Sequence, residues 1–128
     1  MKRLGLNPEK RVAYLEYDFA VDGGAIGTIA MRGDKLPNDA VINIGMIQVN
    51  TACTSGGLAT ITMGVETAVD VLASTAVAAL TQNALLATVP DGTAAKAIRT
   101  TAAGKGINLT IGTAALTAGK ITVAVEYF

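Results

Sequence analysis

Alternation of apolar and polar residues, rather than a helical period, dominates this chain. The clearest case is the C-terminal stretch Lys120–Phe128, in which Ile121, Val123 and Val125 alternate with smaller or more polar side chains. Side chains that leave opposite faces in turn are typical of a β-strand. Thr117–Gly119 just before it predicts a turn, whose glycine is free to adopt a positive φ. We therefore predict a long closing strand that must pair with a neighbour.

Shorter segments with the same pattern precede it, separated by Gly, Asn, Asp and Pro. We predict strands over Arg11–Phe19, Ala25–Met31, Ala40–Asn50, Leu58–Val65, Ala84–Val89, Ala97–Ala102 and Ile107–Gly112. Both faces of Ala40–Asn50 are largely apolar, with Ile47 on one face and Ile44 on the other, which predicts a central strand. Thr67–Leu80 fits helix and strand almost equally, and we expect a short helix near residues 68–73.

About eight strands with frequent turns predict an all-β antiparallel sandwich, jelly-roll-like, with at most one short helix. At 128 residues the chain is long enough for one domain with its own core. We divide it into an extended N-terminal arm, residues 1–10, and a single β-sandwich domain, residues 11–128. Pro8 prevents a regular start of the arm. A frayed terminus is the alternative to an arm that becomes ordered on a neighbouring subunit.

The composition favours closely packed sheets over a core of large side chains. Hydrophobic residues make up 51% of the chain, but aromatic residues only 4%, and Trp is absent. Burying an alanine methyl contributes far less than the ~1.5–3 kcal/mol of a Leu or Phe side chain. We therefore expect part of the stability to come from association between subunits, although a merely compact sandwich has the same composition.

The charge balance bears on partners and on location. Ten basic and ten acidic residues cancel, which argues against nucleic acid or an anionic membrane as a partner. The charges are unevenly distributed, because residues 40–95 contain no basic residue at all. No apolar run follows the basic N-terminus, and no stretch is long enough for a membrane helix. We therefore expect neither a signal peptide nor a membrane span, with synthesis and assembly in a cytoplasm.

No residue pattern predicts catalysis. Histidine is absent, so Cys53, the single cysteine, has no imidazole to activate it and is expected to be a buried free thiol. Glu66 and Asp70 could form an acid–base pair on a helix, but two carboxylates four residues apart are common on exposed faces. A calcium site would need several converging oxygens, and solvated charges explain the acidic residues better. We expect no enzyme activity, no metal and no cofactor.

The candidate contact residues are basic or lie at the chain end. Lys96, Arg99 and Lys105 lie close together in sequence with no acidic residue among them. This basic patch suits an acidic partner surface, and a solvated face is the ordinary alternative. The tripeptide Arg32-Gly33-Asp34 matches that of integrin ligands, and such a short match arises readily by chance. The full set of candidate capsid or subunit contacts is Lys2, Arg3, Lys10, Arg11, Lys96, Arg99, Lys105, Tyr127 and Phe128.

Several turn-and-strand blocks, spread over roughly residues 25–128, resemble a known protein family. The blocks are Gly27-Thr28-Ile29, Leu36–Ile42, Thr60–Gly64, Thr75–Ala78, Asp91–Ala94, Leu116–Val123 and Val125-Glu126-Tyr127. Together they resemble small virion proteins of tailed bacteriophages and prophages, of the head-decoration or minor-capsid kind. The N-terminal arm has no counterpart in the resemblance.

This resemblance implies a β-sandwich subunit, a homotrimer, on the outer surface of the phage head where neighbouring capsomers of the major capsid protein meet. There a decoration (cement) protein would add buried interface and oppose separation of the capsomers under internal DNA pressure. A tail, neck or head-fibre component is the alternative within the same class. A host-surface or glycan-binding module is an alternative from another class, which the small number of aromatic residues disfavours.

Overall fold

A computed structural model describes residues 10–88 and 98–128. These residues form ten strands, a four-residue α-helix and one turn of 3₁₀ helix (Val77–Ala79). The elements are, in chain order, β1 (Arg11–Asp18), α1 (Phe19–Asp22), β2 (Gly27–Ala30), β3 (Arg32–Gly33), β4 (Val41–Ser55), β5 (Thr60–Gly64), β6 (Leu72–Ala76), β7 (Leu85–Ala87), β8 (Ile98–Arg99), β9 (Asn108–Gly112) and β10 (Leu116–Tyr127).

Two antiparallel sheets make up the fold. The larger has the strand order β3-β1-β10-β4-β7, and β8 also pairs with β4. The smaller has the order β2-β9-β5-β6. A single hydrophobic core takes buried side chains from both sheets, among them Ile47 and Val123 from the larger, and Ile61 and Leu109 from the smaller. The all-β antiparallel sandwich predicted from the sequence is therefore confirmed.

The closing strand lies inside the larger sheet. On one side, β10 pairs with the whole of β1, from Arg11 opposite Tyr127 to Asp18 opposite Lys120. On the other side it pairs with β4 along nearly its full length. The chain end is held as well, because the backbone N–H and C=O of Phe128 both bond to Val41, at 3.0 and 3.2 Å. The partner that the closing strand requires is therefore supplied by its own subunit.

The turn predicted at Thr117–Gly119 is wrong. These residues belong to β10, which begins at Leu116 and passes β4 with several register shifts before Ile121. The positive φ expected for Gly119 is present, at 146°, and a Cβ there would lie 2.6 Å from the Cys53 Sγ. The glycine therefore permits an irregular strand to lie close against β4, where the sequence suggested a loop.

The helix predicted near residues 68–73 is also wrong. Leu72–Ala76 forms β6, and a turn precedes it. The carboxylate of Asp70 shapes this turn by accepting hydrogen bonds from three consecutive backbone N–H groups, of residues 65–67, at 2.7–3.0 Å. Within the described residues the α-helix is instead α1, where the Asp18 side chain accepts a hydrogen bond from the N–H of Ala20. Side-chain capping and strand pairing thus override the helix propensity of the alanines.

Strand β4 is central, as predicted, because β10 lies along one edge and β7 and β8 along the other. One face of β4 is open to solvent at the apolar residues Ile44 and Met46, which are 56% and 53% exposed. One extra residue, Asn43, is accommodated where β4 passes the last residues of β10. Ile42 is therefore buried, although strict alternation would put it on the same face as Ile44.

Several sequence predictions fall outside the described residues. They include nearly all of the arm, residues 1–9, with the candidate contacts Lys2 and Arg3. They also include the segment 89–97, which contains the matching block Asp91–Ala94 and the candidate contact Lys96. The division into an arm and one domain therefore stays a prediction. Across the described ranges, no helix has the length and apolar character needed to cross a membrane.

Candidate interaction surfaces

Five of the candidate contact residues come together at one end of the larger sheet. Arg11 of β1 lies opposite Tyr127 of β10, and Lys10 immediately precedes this pair. Arg99 of β8 lies opposite the β4 residue whose backbone bonds to Phe128. We call this region the terminal end and define it by Lys10, Arg11, Arg99, Tyr127 and Phe128. Sequence spacing alone does not reveal this grouping, because strand register brings Arg99 beside the chain end.

Basic groups and aromatic rings share the terminal end. The Nζ of Lys10 lies 3.1 Å from the Glu126 carboxylate, yet 65% of the lysine side chain stays exposed. Arg11 and Arg99 are exposed on their strands. Tyr127 is half-buried and packs partly against the core. This end therefore combines basic side chains with partly buried aromatic area, a composition that suits a protein contact.

The third basic residue of the predicted patch is engaged elsewhere. The Nζ of Lys105 lies 3.5 Å from the Glu66 carboxylate, which also accepts hydrogen bonds from the N–H and hydroxyl of Thr101, both at 2.9 Å. The Thr101 backbone hydrogen bond is the main cause that lowers the pKa of Glu66, and the nearby Lys105 ammonium adds to it. Glu66 thus binds Thr101 and Lys105, while Asp70 caps a turn. Their contacts are structural, and neither carboxylate contacts the other as an acid–base pair would.

The tripeptide Arg32-Gly33-Asp34 is built into the edge of the larger sheet, where its first two residues form β3. Its arginine Nε lies 3.0 Å from Asp22 Oδ1, and one terminal nitrogen donates to Glu16 Oε1 at 3.1 Å. Its aspartate accepts a hydrogen bond from the N–H of Tyr14 at 2.9 Å. The glycine has a φ of 138°, and a Cβ there would meet the Tyr14 carbonyl. Both charged side chains therefore have structural partners, which does not favour recognition by an integrin.

The single thiol is buried, as expected. Cys53 is 6% exposed, and burial raises its pKa to about 11. Tyr17 lies fully buried, and its hydroxyl donates to the Gly23 carbonyl at 2.6 Å. Burial, with a smaller contribution from Cys53, raises the pKa of Tyr17 to about 12. Both groups are therefore neutral at pH 7. Among the residues that the structure describes, no three His, Cys, Asp or Glu side chains converge to hold a metal ion.

The larger sheet exposes an apolar surface that the sequence analysis missed. We call it the outer apolar face and define it by five exposed side chains on β1, β4 and β7: Val12, Tyr14, Ile44, Met46 and Leu85. Between them, Thr122 and Ala124 of β10 form the floor of a shallow groove. The alternate apolar residues Ile44 and Met46 of β4 are visible in the sequence, but one sequence does not distinguish a covered face from an exposed one.

The fold is shared with chains from phage capsids. No protein-family model and no curated protein sequence matches the chain. Among solved structures, a chain of the cyanophage Pam1 capsid asymmetric unit matches with a TM-score of 0.64 and 18% identity, over 99% of this chain and 88% of that chain. A chain of the acid-stable capsid of Helicobacter pylori bacteriophage KHP30 matches with a TM-score of 0.63 and 18% identity, over 93% and 86%. A chain of the Ralstonia phage GP4 capsid matches with a TM-score of 0.58 and 12% identity, over 91% and 83%.

Proposed function

We propose that this chain is a structural protein of a tailed-bacteriophage virion, a decoration (cement) subunit that binds the outer surface of the head shell. The observation that carries the proposal is a fold shared over 91–99% of the chain with chains from three phage capsid structures. The turn-and-strand blocks that resemble head-decoration proteins support it independently. Its role is to add interface between capsid subunits, with no catalytic step.

The terminal end supplies the surface for contact with the major capsid protein. Lys10, Arg11 and Arg99 present basic groups there, and the arm, with Lys2 and Arg3, joins the fold at the same end. Basic groups steer the subunit toward an acidic surface and fix its orientation. Aromatic side chains are enriched where protein contacts exclude water, which suits the two aromatic residues at the chain end. Lys96 and Lys105 are the remaining candidates, and Lys105, like Lys10, also forms an ion pair with a carboxylate of its own chain.

The stabilising effect of a decoration protein on the capsid follows from the number of contacts that it makes. A standard protein interface buries on the order of 1,600 Å², about half on each partner. A homotrimer that spans neighbouring capsomers makes several such contacts at once, and all must break before the capsomers separate. Internal DNA pressure therefore acts against the sum of these interfaces. The subunit itself resists deformation because β10 is hydrogen-bonded on both edges.

The test is decoration of particles that lack the protein. We expect wild-type chain to bind such particles and to appear by cryo-EM as many copies on the outer shell. Arg11→Gln combined with Arg99→Gln should weaken binding, whereas Lys35→Gln, an exposed lysine outside the terminal end, should not. Absence of density on the outer shell would refute decoration. A few copies at the tail or neck would assign the chain to that part of the virion instead.

A further inference from the structure

We propose that the outer apolar face is the surface through which copies of this chain contact one another. The occupant is thus a second copy of the chain, packed against Val12, Tyr14, Ile44, Met46 and Leu85. This inference rests on the proposed function and deepens it, because it names the contact that would hold the homo-oligomer together. It assigns a role to a surface that adjoins the terminal end but shares none of its defining residues.

The first argument is area. The five side chains have exposed fractions of 47–63%. Together they present on the order of 500 Å² of surface, comparable to the largest apolar patch on a typical monomer. One side of a standard interface buries about 800 Å², of which about 65% is apolar in homodimers. The outer apolar face therefore supplies roughly the apolar area that one side of a subunit contact needs.

The second argument is charge. Glu126 lies within the face, between Val12 and Ile44 in the sheet register, and its carboxylate lies 3.1 Å from the Lys10 ammonium. Glu16 lies at the edge of the face, and its carboxylate lies 3.1 Å from the Arg32 guanidinium. Both carboxylates therefore bring a basic partner from their own chain into a contact between copies, while Asp34, whose carboxylate accepts from the N–H of Tyr14, borders the face. The face is self-complementary in charge, a property that every copy of the chain shares.

The third argument is shape. In the sheet register Tyr14, Ala124 and Met46 stand side by side, so the small β10 residue lies between two larger ones. Leu85 and Thr122 extend the same groove by one row. Adjacent strands are about 4.8 Å apart, and stacked sheets pack about 10 Å apart, so a ridge of side chains from a neighbouring copy has room to enter the groove.

The experiment measures the mass of the free protein by native mass spectrometry and light scattering over a dilution series. We expect wild type to be oligomeric at tens of micromolar, and Met46→Glu to raise the dissociation constant by at least about a hundredfold. Leu58→Glu is the matched control, because Leu58 is 87% exposed on the turn after β4 and lies outside the face. Tyr14→Lys is a second variant on the opposite wall of the groove, in case Met46→Glu fails to fold. Far-UV circular dichroism checks the fold of each variant.

The outcomes separate this inference from the proposed function. A monomeric wild type, or folded Met46→Glu and Tyr14→Lys variants that keep the wild-type mass, would overturn the self-contact. If Met46→Glu keeps the wild-type mass but no longer binds particles, the face belongs to the shell contact and the inference is wrong. If wild type is oligomeric through this face yet never binds particles, decoration is refuted and the self-contact stands.

Discussion

Replacing Gly119 by alanine tests how tightly β10 packs against β4. The residue has a φ of 146°, a conformation that costs a non-glycine residue roughly 1–3 kcal/mol. The new Cβ would also lie 2.6 Å from the Cys53 Sγ, and overpacking of this kind typically costs about 1–3 kcal/mol. We therefore expect Gly119→Ala to lower the free energy of unfolding by about 3 kcal/mol.

A double-mutant cycle separates the two causes. Cys53→Ala removes the sulfur that the new methyl group would meet, so part of the penalty should disappear in the double variant. The conformational strain at residue 119 stays, since it does not depend on Cys53. We expect the two substitutions to be less than additive by about 1–2 kcal/mol. Additivity within about 0.5 kcal/mol would show that the sulfur is not in contact with this position.

The assay is urea unfolding followed by far-UV circular dichroism, because the chain has no tryptophan to report by fluorescence. All variants are compared at one protein concentration, since association would add to the apparent stability. Gly56→Ala is the matched control: a Cβ there meets no atom within 4 Å and its φ is not positive. It should change stability by less than about 0.5 kcal/mol. A Gly119→Ala variant as stable as this control would refute the reasoning.

Three further predictions concern the turn, the buried tyrosine and the chain end. Asp70→Ala removes the acceptor of three backbone N–H groups, including that of the buried Val65. It should lower the free energy of unfolding, measured in urea, by about 3 kcal/mol. A decrease of less than about 1 kcal/mol would contradict the capping role. The pKa of Tyr17 is about 10 in the unfolded chain and about 12 in the folded protein. The neutral tyrosine therefore contributes fully to the free energy of unfolding below pH 10, and this contribution is lost as the pH rises toward 12. Between pH 10 and pH 12 the free energy of unfolding of wild type should therefore fall by up to about 2–3 kcal/mol more than that of Tyr17→Phe. If the two free energies of unfolding fall equally with pH, the hydroxyl of Tyr17 does not contribute in this way. Truncation after Val125 removes the half-buried tyrosine and the two backbone bonds of Phe128, so thermal unfolding of the free subunit should shift to lower temperature. If the truncation weakens particle binding but leaves the unfolding temperature of the free subunit unchanged, the last residues belong to an interface and not to the subunit's core.

The strands with regular alternation could be predicted from the sequence because their periodicity is local. Lys120–Phe128 and Arg11–Phe19 were assigned nearly correctly, and they turn out to be neighbours in the same sheet. Their pairing was not predictable, since register depends on residues far apart in the chain. The same limit explains why the convergence of Arg11, Arg99 and Phe128 at the terminal end appears only in the structure.

The errors have a common physical origin in tertiary contacts. The helix expected near residues 68–73 followed alanine propensity, which the Asp70 cap and pairing of β6 with β5 outweigh. The turn expected at Thr117–Gly119 followed the glycine, which instead allows an irregular strand to approach Cys53. The exposure of Ile44 and Met46 was not predictable from the sequence, because hydrophobicity alone does not say what covers a face.

The position of the chain ends has a practical consequence for carrying a foreign sequence on a particle. β1 begins and β10 ends at the terminal end, whereas the turn after β4 lies at the opposite end, where Ser55 pairs with Leu116. Gly56 in that turn is exposed and has open space around it. A peptide antigen inserted at Gly56 would therefore project away from the terminal end, while a tag fused to Phe128 would crowd it. Under the proposed decoration role, the turn after β4 is therefore the better attachment point for displayed cargo.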